Sequence, residues 1–219
     1  MDYVISDLHL GHVSLKKLYR EKFASIEEMH ERIVEMWNSK IRNDDITVYV
    51  LGDIGYKEAI EQVMPRLKGR KVLILGNHDK YSREFYSKYF AEVHDAPIFW
   101  SKRIVMSHHP IPVEPGVINL HGHTHIIDLN SPGHFNLCVE RIDYTPREME
   151  NYEKKLSSIA PPNHKFLEEW YKDIMVPSVD RQDLVLRADG NIDAAATKAK
   201  KAKERHEKEK EGGTGLGEY

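Results

Sequence analysis

The stretch KVLILGNHD, residues 71–79, joins an apolar β-strand pattern directly to a glycine and three polar side chains. A short apolar run bounded by small and polar residues is typical of a buried strand. Four other runs end in the same way: YVIS before Asp7, ITVYVLG before Asp53, RIVMS before His108 and GVINL before His121. The sequence therefore predicts five strands, each of which delivers a polar cluster at its carboxyl end.

Helical patterns separate these strands. The clearest is SIEEMHERIVEMWNSKI, in which apolar residues recur at helical spacing behind Ser25 as N-cap, with Glu28 completing a capping box. YKEAIEQVMPRL and SREFYSKYF predict shorter helices, with Pro65 near the end of the first, and EVHDAPIFWSKRIVMS predicts a β-hairpin. This alternation indicates an α/β (α+β) layered domain with mixed sheets. Because ligands in such sheets bind beyond the carboxyl ends of the strands, we expect the polar clusters to converge.

The composition limits the binding partners and the kinds of metal site that the chain can have. The chain has 219 residues and a net charge of −3, which gives no overall attraction to nucleic acid or membrane. Cys138 is its single cysteine, so an internal disulfide and a cysteine-rich zinc module are both excluded. Any metal ion is expected to bind histidine, carboxylate or amide groups. The amino terminus has no signal-peptide pattern and no apolar run long enough to span a membrane, which predicts a cytoplasmic protein.

The pattern changes towards the carboxyl end of the chain. We place a catalytic core at residues 1–145 and a helical extension, which packs on the core or forms an oligomer contact, at residues 146–193. Residues 194–219 are rich in charge and glycine, which predicts a disordered tail or a lone solvated helix. Glutamates interleave with its lysines and arginines, which favours a solvated face over a contact with nucleic acid.

The strand-end clusters read SDLHLGH, LGDIG, LGNHD, SHHP and HGHTH. If the first strand continues, Asp7 and His9 point the same way and can bind one ion, and the same alternation places His123 and His125 on one face. Together the clusters offer the following candidate groups: Asp7, His9, Asp53, Asn77, His78, His108, His123 and His125.

These candidate groups are too many for one ion, which takes about four protein ligands. They suit two divalent ions about 3.5 to 4 Å apart. Asp53 is the natural bridging ligand, because a carboxylate can bind two neighbouring cations. Two such ions bring four positive charges, and Asp7 with Asp53 cancels two of them. The predicted site is electropositive and therefore suited to a phosphate oxyanion.

These motifs resemble the calcineurin-like metallophosphoesterase superfamily, whose pattern is D-x-H, G-D, G-N-H-[DE], H and G-H-x-H. All five elements occur in order between Asp7 and His125, over the first two-thirds of the chain. SDLHLGH, MWNSKI, LGDIG and HFNLCVE followed by YTP further resemble the compact single-domain branch of bacteria and phages. The resemblance implies a two-layer mixed β-sandwich flanked by helices, with a dinuclear metal centre at one end.

The resemblance also implies roles for residues. His78 is expected to stabilise the transition state or protonate the leaving oxygen, with Asp79 orienting it, while a metal-bridging hydroxide attacks phosphorus in line. Manganese is the expected metal, and iron or zinc would also suit nitrogen and oxygen ligands. The implied ligands are Asp7, His9 and His125 for the first ion, Asn77, His108 and His123 for the second, and Asp53 as the bridge.

Two further histidines are candidates for contacting substrate. His12 follows the first motif, although a loop histidine bonded to backbone is an equal alternative, and His109 is expected to line the site beside the ligand His108. His121 shares the strand alternation of the last motif, but a packed strand histidine is the favoured interpretation.

The predicted function is a phosphodiesterase of small nucleotides, such as 2′,3′-cyclic or 3′,5′-cyclic monophosphates. Only one short helix fits between Asp53 and Asn77, so an open cleft is expected, and a poor alkoxide leaving group gives His78 a use as an acid. Phosphomonoesterase and nuclease activities remain alternatives within the same chemistry. A metal-binding scaffold without catalysis is the alternative from another class, and self-association remains open.

Overall fold

The computed structural model describes residues 1–157. The predicted tail and most of the predicted helical extension therefore lie outside the described residues. In chain order the strands are β1 (Asp2–Ile5), β2 (Thr47–Val50), β3 (Arg70–Ile74), β4 (Glu92–His94), β5 (Ile98–Ser101), β6 (Ile104–Ser107), β7 (Ile118–His121), β8 (His134–Asn136) and β9 (Arg147–Glu148). The helices are α1 (Val13–Tyr19), α2 (Ile26–Lys40), α3 (Lys57–Val63), α4 (Arg83–Tyr86) and α5 (Glu150–Ser157), with a 3₁₀ turn at Met64–Arg66.

The strands form two mixed sheets. The first has the order β4-β3-β2-β1-β9, in which β9 alone runs antiparallel to its neighbour. The second has the order β5-β6-β7-β8, in which β5 and β6 form the predicted antiparallel hairpin and the remaining pairs are parallel. The predicted class, an α/β protein with two mixed sheets flanked by helices, is confirmed.

One hydrophobic core joins the sheets. It contains Val4 and Val50 from the first sheet, Ile104 and Leu120 from the second, and Trp37 from α2, each with no exposed surface. The near-continuous apolar strands of the sequence arise because parallel strands are buried on both faces. The parallel register aligns the strand ends, so that the polar residues which follow them emerge at one edge of the molecule.

The long amphipathic helix is confirmed as α2. The Ser25 hydroxyl accepts a hydrogen bond from the backbone N–H of Glu28, which is the predicted N-cap. The Glu28 carboxylate accepts from the backbone N–H of Ala24, one residue before the cap, so the capping box is displaced by one position. Trp37 is buried and its indole N–H donates to the carbonyl of Lys68 at 2.8 Å, which ties α2 to the turn before β3.

The start of the predicted extension contributes to the core. β9 pairs with β1 through Tyr3 and Val4, and Met149, Tyr152 and Leu156 are buried in the same hydrophobic cluster as the two sheets. The division of the chain into the three proposed parts stays a prediction. Among the described helices, none has the length and apolar character needed to cross a membrane.

Candidate metal centre

Backbone hydrogen bonds join the loops that follow the strands. The Asp7 N–H donates to the carbonyl of Gly52 at 3.1 Å, and the His9 N–H donates to that of Asp53 at 2.9 Å. From the second sheet, the Gly122 N–H donates to the carbonyl of His108 at 2.9 Å. The His123 backbone N–H donates to Oδ2 of Asp7 at 2.9 Å and joins these two pairs of loops, so the clusters that follow β1, β2, β6 and β7 lie together.

The orientation of the candidate ligands has a different cause from the predicted one. β1 ends at Ile5 and β7 ends at His121, so strand alternation does not orient the residues that follow. Instead, several candidate ligands adopt left-handed backbone conformations, which are uncommon outside glycine and cluster at functional sites. Their φ angles are 58° at Asp7, 46° at His9, 55° at Asp53, 67° at His123 and 48° at His125.

Two glycines permit the close approach of these loops. A Cβ atom at Gly122 would lie 1.9 Å from the Ser6 hydroxyl and 2.2 Å from Oδ2 of Asp7. A Cβ atom at Gly76 would lie 2.2 Å from Oδ1 of Asp53. Both motifs therefore need glycine because any side chain would displace a candidate ligand.

One half of the site is centred on Asp7, which is fully buried. Its Oδ2 atom accepts hydrogen bonds from the Ser6 hydroxyl, the His123 backbone N–H and the Cys138 thiol. Its Oδ1 atom lies 3.5 Å from Nε2 of His9 and has no hydrogen-bond partner among residues 1–157. Oδ1 is therefore the oxygen of Asp7 that remains to bind an ion.

The other half contains Asn77, His108 and His123. The Asn77 carbonyl oxygen lies 2.9 Å from Nε2 of His108 and 3.1 Å from Nδ1 of His123. His108 donates its Nδ1 hydrogen to the carbonyl of Leu51 at 2.7 Å, which leaves Nε2 without a hydrogen and facing the site. Asp53 lies between the halves, because its Oδ2 atom is 3.4 Å from Nε2 of both His9 and His108.

The donor atoms fit bound cations. Asp7, His9 and Asp53 offer ligand atoms within 4.8 Å of one another, and so do His108, His109 and His123. Within the described part of the chain, neither ring nitrogen of the buried His9 has a hydrogen-bond partner. Unpaired polar atoms at such depth are costly, and coordination of a metal ion would satisfy them.

A third such group includes Cys138, which was not among the predicted site residues. Its thiol, together with Asp7 and His125, lies within the same 4.8 Å limit. The thiol donates to Oδ2 of Asp7 at 3.2 Å, on the oxygen that the Ser6 and His123 donors also contact. In this arrangement Cys138 orients the carboxylate of Asp7.

Burial and neighbouring charges shift the pKa values of the acids and bases in the site. Burial lowers the pKa of His9 and of His123 to about 4, so both imidazoles are neutral at pH 7 and free to bind an ion. Burial alone would raise the pKa of Asp7, but the neighbouring histidines outweigh it and hold this pKa well below its usual range. Burial, reinforced by the charges of Asp7 and Asp79, raises the pKa of Asp53 to about 9.

His78 lies at the exposed edge of the site. Its backbone N–H donates to Oδ1 of Asp53 at 2.9 Å, and its ring centroid lies 5.5 Å from that of His9. Among residues 1–157 the expected orienting role of Asp79 is not seen as a direct contact with the His78 ring, and this role stays a prediction. The Asp79 carboxylate instead accepts hydrogen bonds from the backbone N–H groups of Asp53, Ile54 and Gly76, and thereby holds two motif loops together.

The two candidate substrate contacts differ in position. His12 is half-buried at the N-cap of α1, where its Nδ1 accepts from the Leu15 N–H and its ring stacks on Tyr56 at 5.1 Å. The backbone hydrogen bond fits the loop-histidine interpretation, and a contact of His12 with substrate stays a prediction, with its ring centroid 5.5 Å from that of His9. His109 is buried against His123, with ring centroids 3.9 Å apart. His121 is packed in β7, as favoured.

Sequence reasoning missed a buried ion pair beside the site. Arg20 directly follows α1, and its Nε donates to Oε1 of Glu140 at 2.8 Å. The same oxygen lies 3.2 Å from Nδ1 of His125. Arg20 and Glu140 are 120 residues apart and neither stands in a ligand motif, so no spacing signal in the sequence joins them.

We expect the metal-free protein to lose stability as the pH falls from 7 to 5. His9, His121 and His123 each have a pKa of about 4 in the fold because they are buried, so below pH 6.5 the unfolded chain binds protons that the folded chain does not. Asp53 opposes this effect. Its pKa in the fold is about 9, so between pH 7 and 5 the folded chain holds a proton on Asp53 that the unfolded chain has lost.

Between pH 7 and 5 each of the three histidines lowers the free energy of unfolding by about 2 kcal/mol and Asp53 raises it by about 3 kcal/mol, so a net fall of about 3 kcal/mol is expected. Urea unfolding in the presence of chelator at pH 7, 6 and 5 measures this change. His121→Asn should flatten the profile, and a stability that stays constant or rises towards pH 5 would contradict the prediction.

Comparison with known proteins agrees with this geometry. The family model for the calcineurin-like phosphoesterases matches residues 3–205. An uncharacterized protein of Methanocaldococcus jannaschii, MJ1445, is 29% identical over 162 residues, which cover 68% of this chain and 86% of that protein. The Gene 66 protein of Mycobacterium phage L5 is 41% identical over 80 residues, which cover 34% of this chain and 37% of that protein.

A solved structure shares the fold. The crystal structure of AQ665, a protein of unknown function from Aquifex aeolicus, matches with a TM-score of 0.58 and 26% sequence identity. The match covers 70% of this chain and 98% of the Aquifex chain.

Proposed function

This chain belongs to the calcineurin-like phosphoesterase family, and from that premise we propose that it is a dinuclear phosphohydrolase which prefers phosphodiesters. The family supports phosphoester hydrolysis and the use of divalent metals. The observation that carries the proposal is the position of Asp53, whose Oδ2 atom lies 3.4 Å from Nε2 of His9 and 3.4 Å from Nε2 of His108. One carboxylate oxygen at equal distance from two imidazoles suits a bridge between two ions.

The proposed ligands form two groups. Asp7, His9 and His125 would hold the first ion, Asn77, His108 and His123 would hold the second, and Asp53 would contribute to both. The nitrogen and oxygen donors suit manganese, which we propose as the metal, as well as iron or zinc. When bound, two such ions supply the positive charge that polarises a phosphate and activates water. Since Asp7 and Asp53 together cancel only two of four charges, the site favours an anionic substrate.

His78 is the proposed acid. Its backbone is fixed by Asp53, while its side chain is exposed at the site edge, where it can reach a bound phosphoester. Burial and the nearby His12 lower the pKa of His78, and an anionic phosphate beside it would favour the protonated ring. His78 would then give its proton to the leaving oxygen, a step that matters most for a poor leaving group. Asp79 supports this step indirectly by holding the loops that carry Asp53 and His78.

The surroundings of His78 favour a small nucleotide as substrate. Tyr56 is 49% exposed and stacks on His12 at the rim, so an aromatic face is available to a nucleobase beside the proposed acid. Between Asp53 and Asn77 only α3 and a 3₁₀ turn intervene before β3, and they add no long covering insertion. We therefore propose 2′,3′-cyclic or 3′,5′-cyclic nucleotides as the substrate class.

Hydrolysis assays test this proposal. The protein is treated with chelator, divided, and restored with manganese, and each sample is offered bis-p-nitrophenyl phosphate, p-nitrophenyl phosphate, 2′,3′-cyclic AMP and a single-stranded oligonucleotide. We expect manganese-dependent turnover that favours the diesters and the cyclic nucleotide. Preference for the monoester would indicate a phosphomonoesterase instead of a diesterase, and preference for the oligonucleotide would indicate a nuclease. If two ions bind and every substrate stays intact, the proposal fails in favour of a non-catalytic scaffold.

A further inference from the structure

A buried ion pair lies beside the candidate metal centre, outside the set of proposed ligands. The side chain of Arg20 is fully buried and that of Glu140 is 4% exposed, and their Nε and Oε1 atoms are 2.8 Å apart. The other carboxylate oxygen of Glu140 has no hydrogen-bond partner within the described residues. Because desolvation offsets much of the attraction in a buried pair, stability alone is a weak reason for this arrangement.

Arg20 binds the backbone of the first ligand loop. Its Nη2 donates to the carbonyl of Asp7 at 2.6 Å, and its Nη1 donates to the carbonyl of Leu8 at 2.6 Å. These carbonyls lie in the segment whose two ligands, Asp7 and His9, have φ angles of 58° and 46°. The planar guanidinium offers several donors in a fixed geometry, so it can hold this unfavourable backbone conformation in place.

Glu140 binds the last ligand of the same group. Its Oε1 atom accepts from Nδ1 of His125 at 3.2 Å, and this is the oxygen that Arg20 also contacts. Because Nδ1 gives its hydrogen to a carboxylate, Nε2 is the nitrogen of His125 that is left to bind an ion. Tyr19, which precedes Arg20, stacks on the His125 ring at 4.8 Å with the planes inclined by 17°. Tyr19 thus restrains this imidazole directly, and Arg20 does so through Glu140.

We propose that Arg20 and Glu140 are positioning residues that hold Asp7, His9 and His125 as one ligand group before any metal binds. The inference rests on the proposed function, since it concerns one of the two proposed ion positions. Different contacts hold the other group: the His108 Nδ1–H donates to the Leu51 carbonyl, and the Asn77 carbonyl oxygen lies 3.1 Å from Nδ1 of His123. Loss of the pair should therefore affect one ion position and spare the other.

The test is a calorimetric titration of manganese into the metal-free protein, wild type beside Glu140→Gln. We expect two binding events in the wild type, and in the variant one event weakened by about 10- to 100-fold with the other unchanged. Nitrogen-15 NMR of the metal-free protein gives a second reading, because the His125 Nδ1–H resonance should shift when its carboxylate acceptor becomes an amide. Asp143→Asn is the matched control, since it removes an exposed carboxylate that pairs with Lys22 and Arg32. It should leave both readings unchanged.

The possible results separate a positioning role of Arg20 and Glu140 from a purely structural one. Two manganese events of wild-type affinity in Glu140→Gln, with an unmoved His125 resonance, would overturn the inference and leave the proposed function intact. A wild-type protein that binds no manganese would overturn both. If Glu140→Gln does not fold, Glu140→Asp keeps the charge beside Arg20 and withdraws the carboxylate by one methylene. That variant should show the same single weakened event, and two unchanged events in it would equally overturn the inference.

Discussion

Asp53→Asn should lower manganese-dependent hydrolysis of bis-p-nitrophenyl phosphate by about 10³-fold or more, because a proposed bridging ligand loses its charge and one of its oxygens. The variant keeps the size of the side chain and an oxygen that can accept from the His78 backbone N–H, so the loop should keep its shape. Steady-state rates, together with metal content measured on the same samples, check this result.

The same substitution should not weaken the metal-free fold. Burial raises the pKa of Asp53 to about 9, so at pH 7 the folded protein holds a proton on a carboxyl that is ionised in the unfolded chain, which disfavours folding. A neutral amide removes this opposition, and the free energy of unfolding in chelator should stay equal or increase. An inactive variant of undiminished stability would separate the role of Asp53 in the site from any role in the core. Retained activity, or a variant that unfolds, would contradict the assignment.

His78→Ala should lower turnover by about 10²- to 10⁴-fold on substrates with a poor leaving group, with both metal ions retained. The reason is that His78 contacts Asp53 through its backbone, which alanine preserves, while the lost imidazole is the proposed proton donor. The effect should be larger for 2′,3′-cyclic AMP, which releases an alkoxide, than for bis-p-nitrophenyl phosphate, which releases a stable phenolate.

Rates on both substrates, measured with metal content, check this prediction. His94→Ala is a suitable control, because His94 is a partly exposed histidine of β4 that pairs with Glu92 and lies outside the proposed site. Equal losses on the two substrates would argue against a proton-donating role. Loss of a metal ion from the His78 variant would place this residue among the ligands instead.

The sequence was sufficient to predict that the clusters meet, and insufficient to predict how. Apolar runs such as residues 72–75 identify the parallel strands, and the alignment of their ends follows from the fold class. The orientation of the ligands was mispredicted because strand alternation was extended beyond Ile5. Left-handed φ angles at Asp7 and His123 are fixed by long-range hydrogen bonds, which a local pattern does not reveal.

Residues that act through tertiary contacts could not be identified from the sequence for the same reason. Glu140 ends the stretch HFNLCVE, but the sequence assigns it no role, and only its contacts with Arg20 and His125 reveal its position beside the site. Asp79 stands within a recognised motif, yet its carboxylate accepts hydrogen bonds from backbone N–H groups of another loop. Motifs thus identified the groups suited to bind ions, whereas the groups that orient them required the fold.

Anomalous diffraction at the manganese absorption edge, from crystals grown with manganese, tests the central claim most directly. We predict two peaks about 3.5 to 4 Å apart, with Asp53 between them, one beside Asp7, His9 and His125 and the other beside Asn77, His108 and His123. A single peak would reduce the site to one ion and remove the bridging role of Asp53. The absence of any peak at this site, in crystals that bind manganese elsewhere or not at all, would contradict the dinuclear centre.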